Sequence, residues 1–298
     1  MRIAFLGLGH MGLPMARNLR AAGHDVVGFD VAPAAVDTAR LSGVETAASG
    51  PDAAADADVV ITMFASGAQV VSAYLGGDGV DGLVDVARPH TLFIDCSTIS
   101  VEDAREAHRV AEIAGHSALD APVSGGVVGA ENATLAFMVG GADAAFDVAL
   151  PILEAMGRRV VHCGGPGLGQ AAKVCNNMVL AVSQIVVAEA FVLGERLGLE
   201  HQALFDVVSH ASGQCWAITT NCPVPGPVPT SPANRDYEPG FAGALMSKDL
   251  GLAEQAIEAT GVDARMGLLA RSIYREFSEG DGARRDFSGI INTIRAVG

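Results

Sequence analysis

Two of the nineteen basic residues in this chain are lysines, Lys173 and Lys248, and the first stands in GQAAKVCNNM (169–178). Arginine keeps its charge at any accessible pH, whereas a lysine in suitable surroundings can take up and release a proton. Asn177 follows Lys173 at i+4, the same face of a helix one turn on, where its amide can orient the amine or a substrate hydroxyl. Such a pair suits general acid–base chemistry on an alcohol or carbonyl. An ordinary lysine, with a pKa of about 10.4, must be lowered by about two or three units to serve near neutral pH, which predicts an alkaline optimum for oxidation.

A partner for that chemistry is suggested by GLGHMG (7–12). The motif follows the strand-like RIAFL (2–6) and opens a helix-like stretch. Gly7 suits the tight turn, Gly9 lets backbone approach a pyrophosphate, and Gly12 lets the helix pack closely on the strand. Gly7, Leu8, Gly9, His10, Met11 and Gly12 are thus the expected dinucleotide cradle, with the first helical N–H groups facing phosphate. Asp30 ends the next strand 18 residues after Gly12, where a carboxylate accepts from ribose hydroxyls and repels a 2′-phosphate. No arginine follows until Arg40, so NAD is expected over NADP. A nicotinamide implies hydride transfer and a group to take the hydroxyl proton, for which His, Lys and Tyr are the candidates. The eight histidines are dispersed, and Lys173, near the start of a helix expected to separate two domains, is the best placed.

The elements that must position these residues change character along the chain. Short apolar runs at 2–6, 25–30, 58–64 and 91–96, extended by 116–123, 134–141 and 158–164, predict strands buried on both faces of a doubly wound α/β sheet. After GGPGLG the pattern is one long helix, about 168–197, then helical stretches near 201–212, 241–260, 263–278 and 286–295. The expectation is a Rossmann-type domain over 1–164 and an all-α domain over 165–298 that begins with the interdomain helix. Six of thirteen prolines fall in 221–240, which predicts an extended, stiff segment, either a connector or a functional cover. Glu189, inside the apolar helix, is assigned a structural role paired with an arginine.

Composition narrows the partners. A net charge of −15 argues against a nucleic-acid surface and against docking on an anionic membrane. The apolar run 178–193 is interrupted by Ser183, Gln184 and Glu189 and reads as a buried helix rather than a membrane span. Five cysteines without a CxxC spacing suit reduced thiols and a cytoplasmic enzyme, no N-terminal targeting signal is visible, and no metal-ligand spacing is present, so no metal is expected.

Taken in order, these segments resemble the β-hydroxyacid dehydrogenase family of the 6-phosphogluconate dehydrogenase-like superfamily, over essentially the full length. FLGLGHMGLPMARNL (5–19), DAPVSGG (120–126), GQAAKVCNN (169–177) and MSKDLGLA (246–253) carry the likeness. KVCNN, Trp216 with NCPVPG, and DFS (286–288) resemble its hydroxyisobutyrate branch. The resemblance implies that Lys173 and Asn177 are catalytic, and that Ser124, Gly125 and Gly126 bind the substrate carboxylate. It further implies that Trp216 and Phe241 wall the substrate pocket with Asp249 nearby, and that Thr98 and Lys248 lie beside the cofactor. Phe64 and Ala65 fall where relatives contact the adenosine side, although MFASG departs from the usual Leu-Pro after Met. The implied reaction is NAD-dependent oxidation of 3-hydroxyisobutyrate to methylmalonate semialdehyde in valine catabolism, by a homodimer or homotetramer. The alternatives are the same chemistry on tartronate or succinic semialdehyde, and a non-catalytic NAD-binding module. Imine reduction is disfavoured by the lysine at 173.

Overall fold

The computed structural model describes residues 1–77 and 79–296, which pack as two compact units, Met1–Lys173 and Val174–Gly298. In the first, β1 (Arg2–Leu6), β2 (Asp25–Phe29), β3 (Glu45–Thr46), β4 (Val59–Thr62), β5 (Leu92–Asp95) and β6 (Ser117–Asp120) lie parallel in the order β3-β2-β1-β4-β5-β6. The absence of polar alternation in these runs has a simple cause. Ile3, Phe5, Ile61 and Ile94 pack into one hydrophobic cluster, while Ala4, Leu6, Val60 and Phe93 pack into another. Both faces are covered, as a doubly wound sheet requires. Winding reverses between β1 and β4, the switch point at whose carboxyl ends such sheets bind ligands.

Beyond β6 the sheet departs from a simple extension. The run 116–123 divides at Ala121–Pro122 into β6 and β7 (Val123–Ser124), because proline offers no N–H to a ladder. Both strands pair antiparallel with β8 (Leu135–Gly141), and β9 (Gly157–Gly164) returns parallel to β8. The sheet is therefore mixed at this side. Two helices matter for the site. One, α1 (Gly12–Ala21), follows the glycine turn. The other, α2 (Val101–Ile113), is capped by Ser100, whose Oγ accepts from Asp103 N–H at 2.9 Å, with Glu102 and Asp103 in its first turn.

A 29-residue helix, α3 (Leu168–Arg196), runs through the boundary between the units. By length and composition alone it could cross a membrane, but half of its most apolar window is buried against protein. In the second unit Ala181, Ile185 and Phe191 of α3 share a core with Leu250 of α4 (Gly243–Thr260), Tyr274 and Phe277 of α5 (Arg265–Ser278), and Phe287. Gly261 ends α4 in the left-handed conformation, at φ 69°. The expected helices near 201–212 and 286–295 are shorter: one stops at Val208, and the other begins as a 3-10 turn, Phe287–Gly289, before Ile290–Ala296.

Two expectations are corrected in this unit. Segment 221–240 is compact rather than extended. Ser231 Oγ donates to the Cys222 carbonyl at 2.5 Å, Tyr237 OH to the Pro223 carbonyl at 2.8 Å, and Asn234 Nδ2 to the Val228 carbonyl at 2.8 Å. These bonds fold the segment back on itself, and Val224, Val228 and Tyr237 join the core of the unit. Glu189 is exposed; the α3 acid that meets an arginine is Glu195, held by Arg295 and by His201 Nε2 at 2.7 Å. Arg295 lies 100 residues further along the chain, and the local pattern carries no sign of it.

Candidate active site

The glycine turn fits a dinucleotide in detail. Gly7 has φ 96°, and a Cβ there would collide with the Met63 carbonyl; a Cβ at Gly12 would land on the Gly7 carbonyl oxygen. Those two glycines are required by the fold. A Cβ at Gly9 would meet no atom of the described residues within 4 Å, so packing does not explain that glycine, whereas close approach of a pyrophosphate does. His10 is exposed and Met11 half-buried at the entry to α1. Asp30 accepts from Leu8 N–H at 2.7 Å and Ala32 N–H at 2.8 Å, which ties the turn to the end of β2 and leaves each oxygen a lone pair for a ribose hydroxyl. Asp30, Val31, Pro33, Val36 and Arg40 line an open pocket of about 460 Å³. Sequence reasoning set Arg40 aside by its distance from Asp30; the helix Pro33–Leu41 brings it back to the same pocket. Its Nε donates to Thr46 Oγ1 at 2.7 Å, and its guanidinium lies 3.6 Å from Asp37.

At the ends of β4 and β5 a buried polar cluster fixes the loop that carries Thr98. Asp95 Oδ1 accepts from Thr62 Oγ1 at 2.8 Å and from Ser97 Oγ at 2.6 Å, while its Oδ2 has no partner among the described residues. Burial raises the Asp95 pKa to about 6, opposed by the Ser97 and Thr62 hydrogen bonds and assisted by the charge of Asp120. Phe64 N–H donates to Ser97 Oγ at 2.7 Å and Ala65 N–H to Gln69 Oε1 at 3.1 Å. Both N–H groups are thus engaged within the protein. Thr98 itself is half-buried.

Lys173, on α3, is buried and its Nζ donates to the Val123 carbonyl at 2.8 Å. The next residues are Ser124, Gly125 at φ 133° and Gly126 at φ 62°, a turn that few side chains tolerate. Amine and turn are thus joined through one residue of β7. Asn177, one helical turn beyond Lys173, belongs to the second unit. Its Nδ2 donates to Asp249 Oδ2 at 2.5 Å, and its Oδ1 accepts from Asn176 Nδ2 at 2.9 Å. Asp249 is buried on α4 beside the half-buried Lys248. Its Oδ2 accepts the bond that holds Asn177.

The pocket-wall candidates are placed by a second buried carboxylate. Asp286 Oδ2 accepts from Gly240 N–H at 3.0 Å and Phe241 N–H at 3.1 Å. Its Oδ1 accepts from Ser288 N–H, Ser288 Oγ and Asn221 Nδ2 at 3.0, 2.6 and 3.2 Å. Phe241 meets Phe287 edge to face with centroids 5.7 Å apart. Asn221 N–H returns to the Trp216 carbonyl at 3.2 Å, closing the turn after the helix Trp216–Thr219. Trp216 is 48% exposed, so the sole tryptophan is not a core residue of its unit. Asp286 and Asn221 lie in DFS and NCPVPG, segments that carry the resemblance, but their role as site supports was missed because it depends on partners 45 to 65 residues away.

The strand order, the reversal at β1 and the glycine turn with Asp30 define a dinucleotide-binding protein of the Rossmann class. Residues 2–165 match the NAD-binding domain of 6-phosphogluconate dehydrogenase, and residues 167–294 match the NAD-binding domain of NADP-dependent 3-hydroxyisobutyrate dehydrogenase. A probable 3-hydroxyisobutyrate dehydrogenase of Mycobacterium tuberculosis is 59% identical over 99% of this chain and 98% of its own. A solved structure of 3-hydroxyisobutyrate dehydrogenase from that organism with L-serine superposes with a TM-score of 0.94, covering 98% of each chain. An NAD-dependent L-serine dehydrogenase of Pseudomonas aeruginosa is 47% identical over 96% of this chain and 95% of its own. The chain belongs to the 3-hydroxyisobutyrate dehydrogenase family. It is an NAD-dependent hydroxyacid dehydrogenase.

Proposed function

We propose that the protein oxidises 3-hydroxyisobutyrate to methylmalonate semialdehyde, a step of valine catabolism, with Lys173 as general base and as general acid in the reverse direction. The observation that carries this reading is the 2.8 Å hydrogen bond from Lys173 Nζ to the Val123 carbonyl. It sets the amine beside Ser124–Gly125–Gly126, a spacing suited to an acid whose hydroxyl sits one carbon beyond the carboxyl-bearing carbon. The nicotinamide, when bound, accepts the hydride. Ser124 Oγ and the N–H groups of Gly125 and Gly126 receive the carboxylate, and Lys173 Nζ takes the hydroxyl proton. Asn177, held by Asp249, orients the hydroxyl from the same face of α3. Thr98 and Lys248 steady the nicotinamide end, Phe64 and Ala65 flank the dinucleotide, and Trp216 and Phe241 bound the substrate's apolar side. Asp30 selects NAD, with Arg40 already engaged by Thr46 and Asp37.

A second reading is favoured by the relatives associated with L-serine. Serine carries the same hydroxymethyl group, with an ammonium where hydroxyisobutyrate has a methyl. The deciding experiment compares kcat/KM for 3-hydroxyisobutyrate, L-serine and an unbranched hydroxyacid with each nicotinamide. The branched acid with NAD is expected to lead by at least about tenfold. Equal efficiency on the unbranched acid would sink the substrate assignment, and absence of NADH formation with every acid would leave a binding module. A homodimer or homotetramer in the cytoplasm is also proposed. Val179, Val186 and Leu193 lie seven residues apart on α3 and are more than half exposed, a stripe suited to a second copy. Sedimentation at a monomer mass would contradict it.

A further inference from the structure

Gln170 lies three residues before Lys173 on α3 and is fully buried. Its side-chain amide spans a single residue of the loop after β5. Nε2 donates to the Ser97 carbonyl at 2.7 Å, and Oε1 accepts from Ile99 N–H at 3.2 Å. The residue so bracketed is Thr98. An amide used in this way imitates one rung of a β-ladder, fixing both the bracketed backbone and the direction of its side chain.

Both ends of this bridge are themselves anchored. Gln170 N–H donates to Asp120 Oδ2 and Gly167 N–H to Asp120 Oδ1, each at 2.8 Å, with His108 Nε2 at 3.2 Å from Oδ1. Ser97 Oγ is held between Phe64 N–H and Asp95. The start of α3 and the Thr98 loop, more than 70 residues apart in sequence, are thus locked together one helical turn from the amine.

We propose that Gln170 is a positioning residue for the reaction, fixing Thr98 relative to Lys173 so that the hydride and the proton leave the substrate in one geometry. The inference rests on the roles given above to Lys173 and Thr98. A residue that served packing alone would affect stability; one that sets the reacting geometry affects turnover, since a displacement of about 1 Å can cost about a hundredfold.

The test is Gln170→Met, which keeps an unbranched chain of similar volume and removes both hydrogen bonds. The readouts are urea unfolding, kcat, KM for 3-hydroxyisobutyrate, and the primary isotope effect with the hydroxymethyl carbon deuterated. A folded variant is expected to lose about 10- to 100-fold in kcat, with KM within about threefold and a larger isotope effect as hydride transfer becomes limiting. A folded variant with wild-type kcat and isotope effect overturns the proposal.

If Gln170→Met does not fold, Gln170→Glu decides. The neighbouring Asp120 carboxylate favours the protonated form of the introduced carboxyl, which presents the same donor and acceptor as the amide. The kcat of this variant relative to wild type should then recover as pH falls, and a ratio of one at every pH overturns the proposal. Failure of the underlying reading looks different. It would appear as a wild-type enzyme without turnover or as an unimpaired Lys173→Arg, whereas a normal Gln170→Met beside an inactive Lys173→Arg removes this inference alone.

Discussion

In the first unit the cofactor turn sits where a short stretch of chain puts it, at a strand end and on the first turn of a helix, while Lys173 and the Thr98 loop are tied by bonds that span 50 to 73 residues. In the second unit such long bonds hold Asn177, by Asp249, and Phe241, by Asp286, and among the described residues no glycine turn or strand end takes part. The parallel sheet accounts for the difference. Its strands deliver backbone to one edge in fixed register, so the geometry of the cofactor turn follows from local rules, whereas side chains carried on helices need a few buried polar bonds to fix their rotation and depth.

The largest expected effect follows from removing such a bond. Asp286→Ala removes the acceptor of five donors, three of them buried, and should cost about 3–5 kcal/mol, read by urea unfolding. A loss under about 1 kcal/mol would mean that the second unit is not organised by this carboxylate.

Asp95 tests the first unit through pH. Its folded pKa of about 6 lies above the unfolded value of 3.8, so the fold favours the protonated form. That stability is fully present below about pH 4 and is lost as pH rises through 6, by about 3 kcal/mol in total. Asp95→Asn cannot ionise, so between about pH 3 and about pH 8 its stability relative to wild type should improve by about that amount. Parallel stability–pH curves for the two proteins would contradict the assignment.

The glycines separate fold from ligand. Gly12→Ala drives a Cβ into the Gly7 carbonyl and should cost about 1–3 kcal/mol. Gly9→Ala should leave unfolding unchanged while weakening NAD binding by calorimetry. Equal destabilisation by both changes would remove the argument that Gly9 is there for a ligand.

How much of this was legible follows the same division. RIAFL, GLGHMG and Asp30 announce their roles because periodicity and glycine spacing are local signals. Lys173 stood out against a background of arginine. The antiparallel turn at β7 was hidden, since Pro122 splits a run that otherwise reads as one strand. Neither the compactness of 221–240 nor the pairing of Glu195 in place of Glu189 could be read, because both depend on partners chosen by tertiary packing. Gln170 falls in the same class: its residue type is visible, but its bond to the Thr98 loop is not.

A smaller effect is expected at Asp30. Asp30→Ala should shift the NAD to NADP ratio of kcat/KM by about tenfold toward NADP, since the repelling charge is gone and Arg40 shares the pocket. An unchanged ratio would show that the carboxylate serves only the turn it ties to β2.

The central claim is that Lys173 moves a proton and is not merely a cation. Lys173→Arg, with NAD binding measured by fluorescence titration and turnover by NADH formation, tests it most directly. Unchanged NAD affinity with kcat reduced by about a thousandfold is the predicted result, because arginine keeps the charge and cannot give up the proton. A rate within about tenfold of wild type would contradict it.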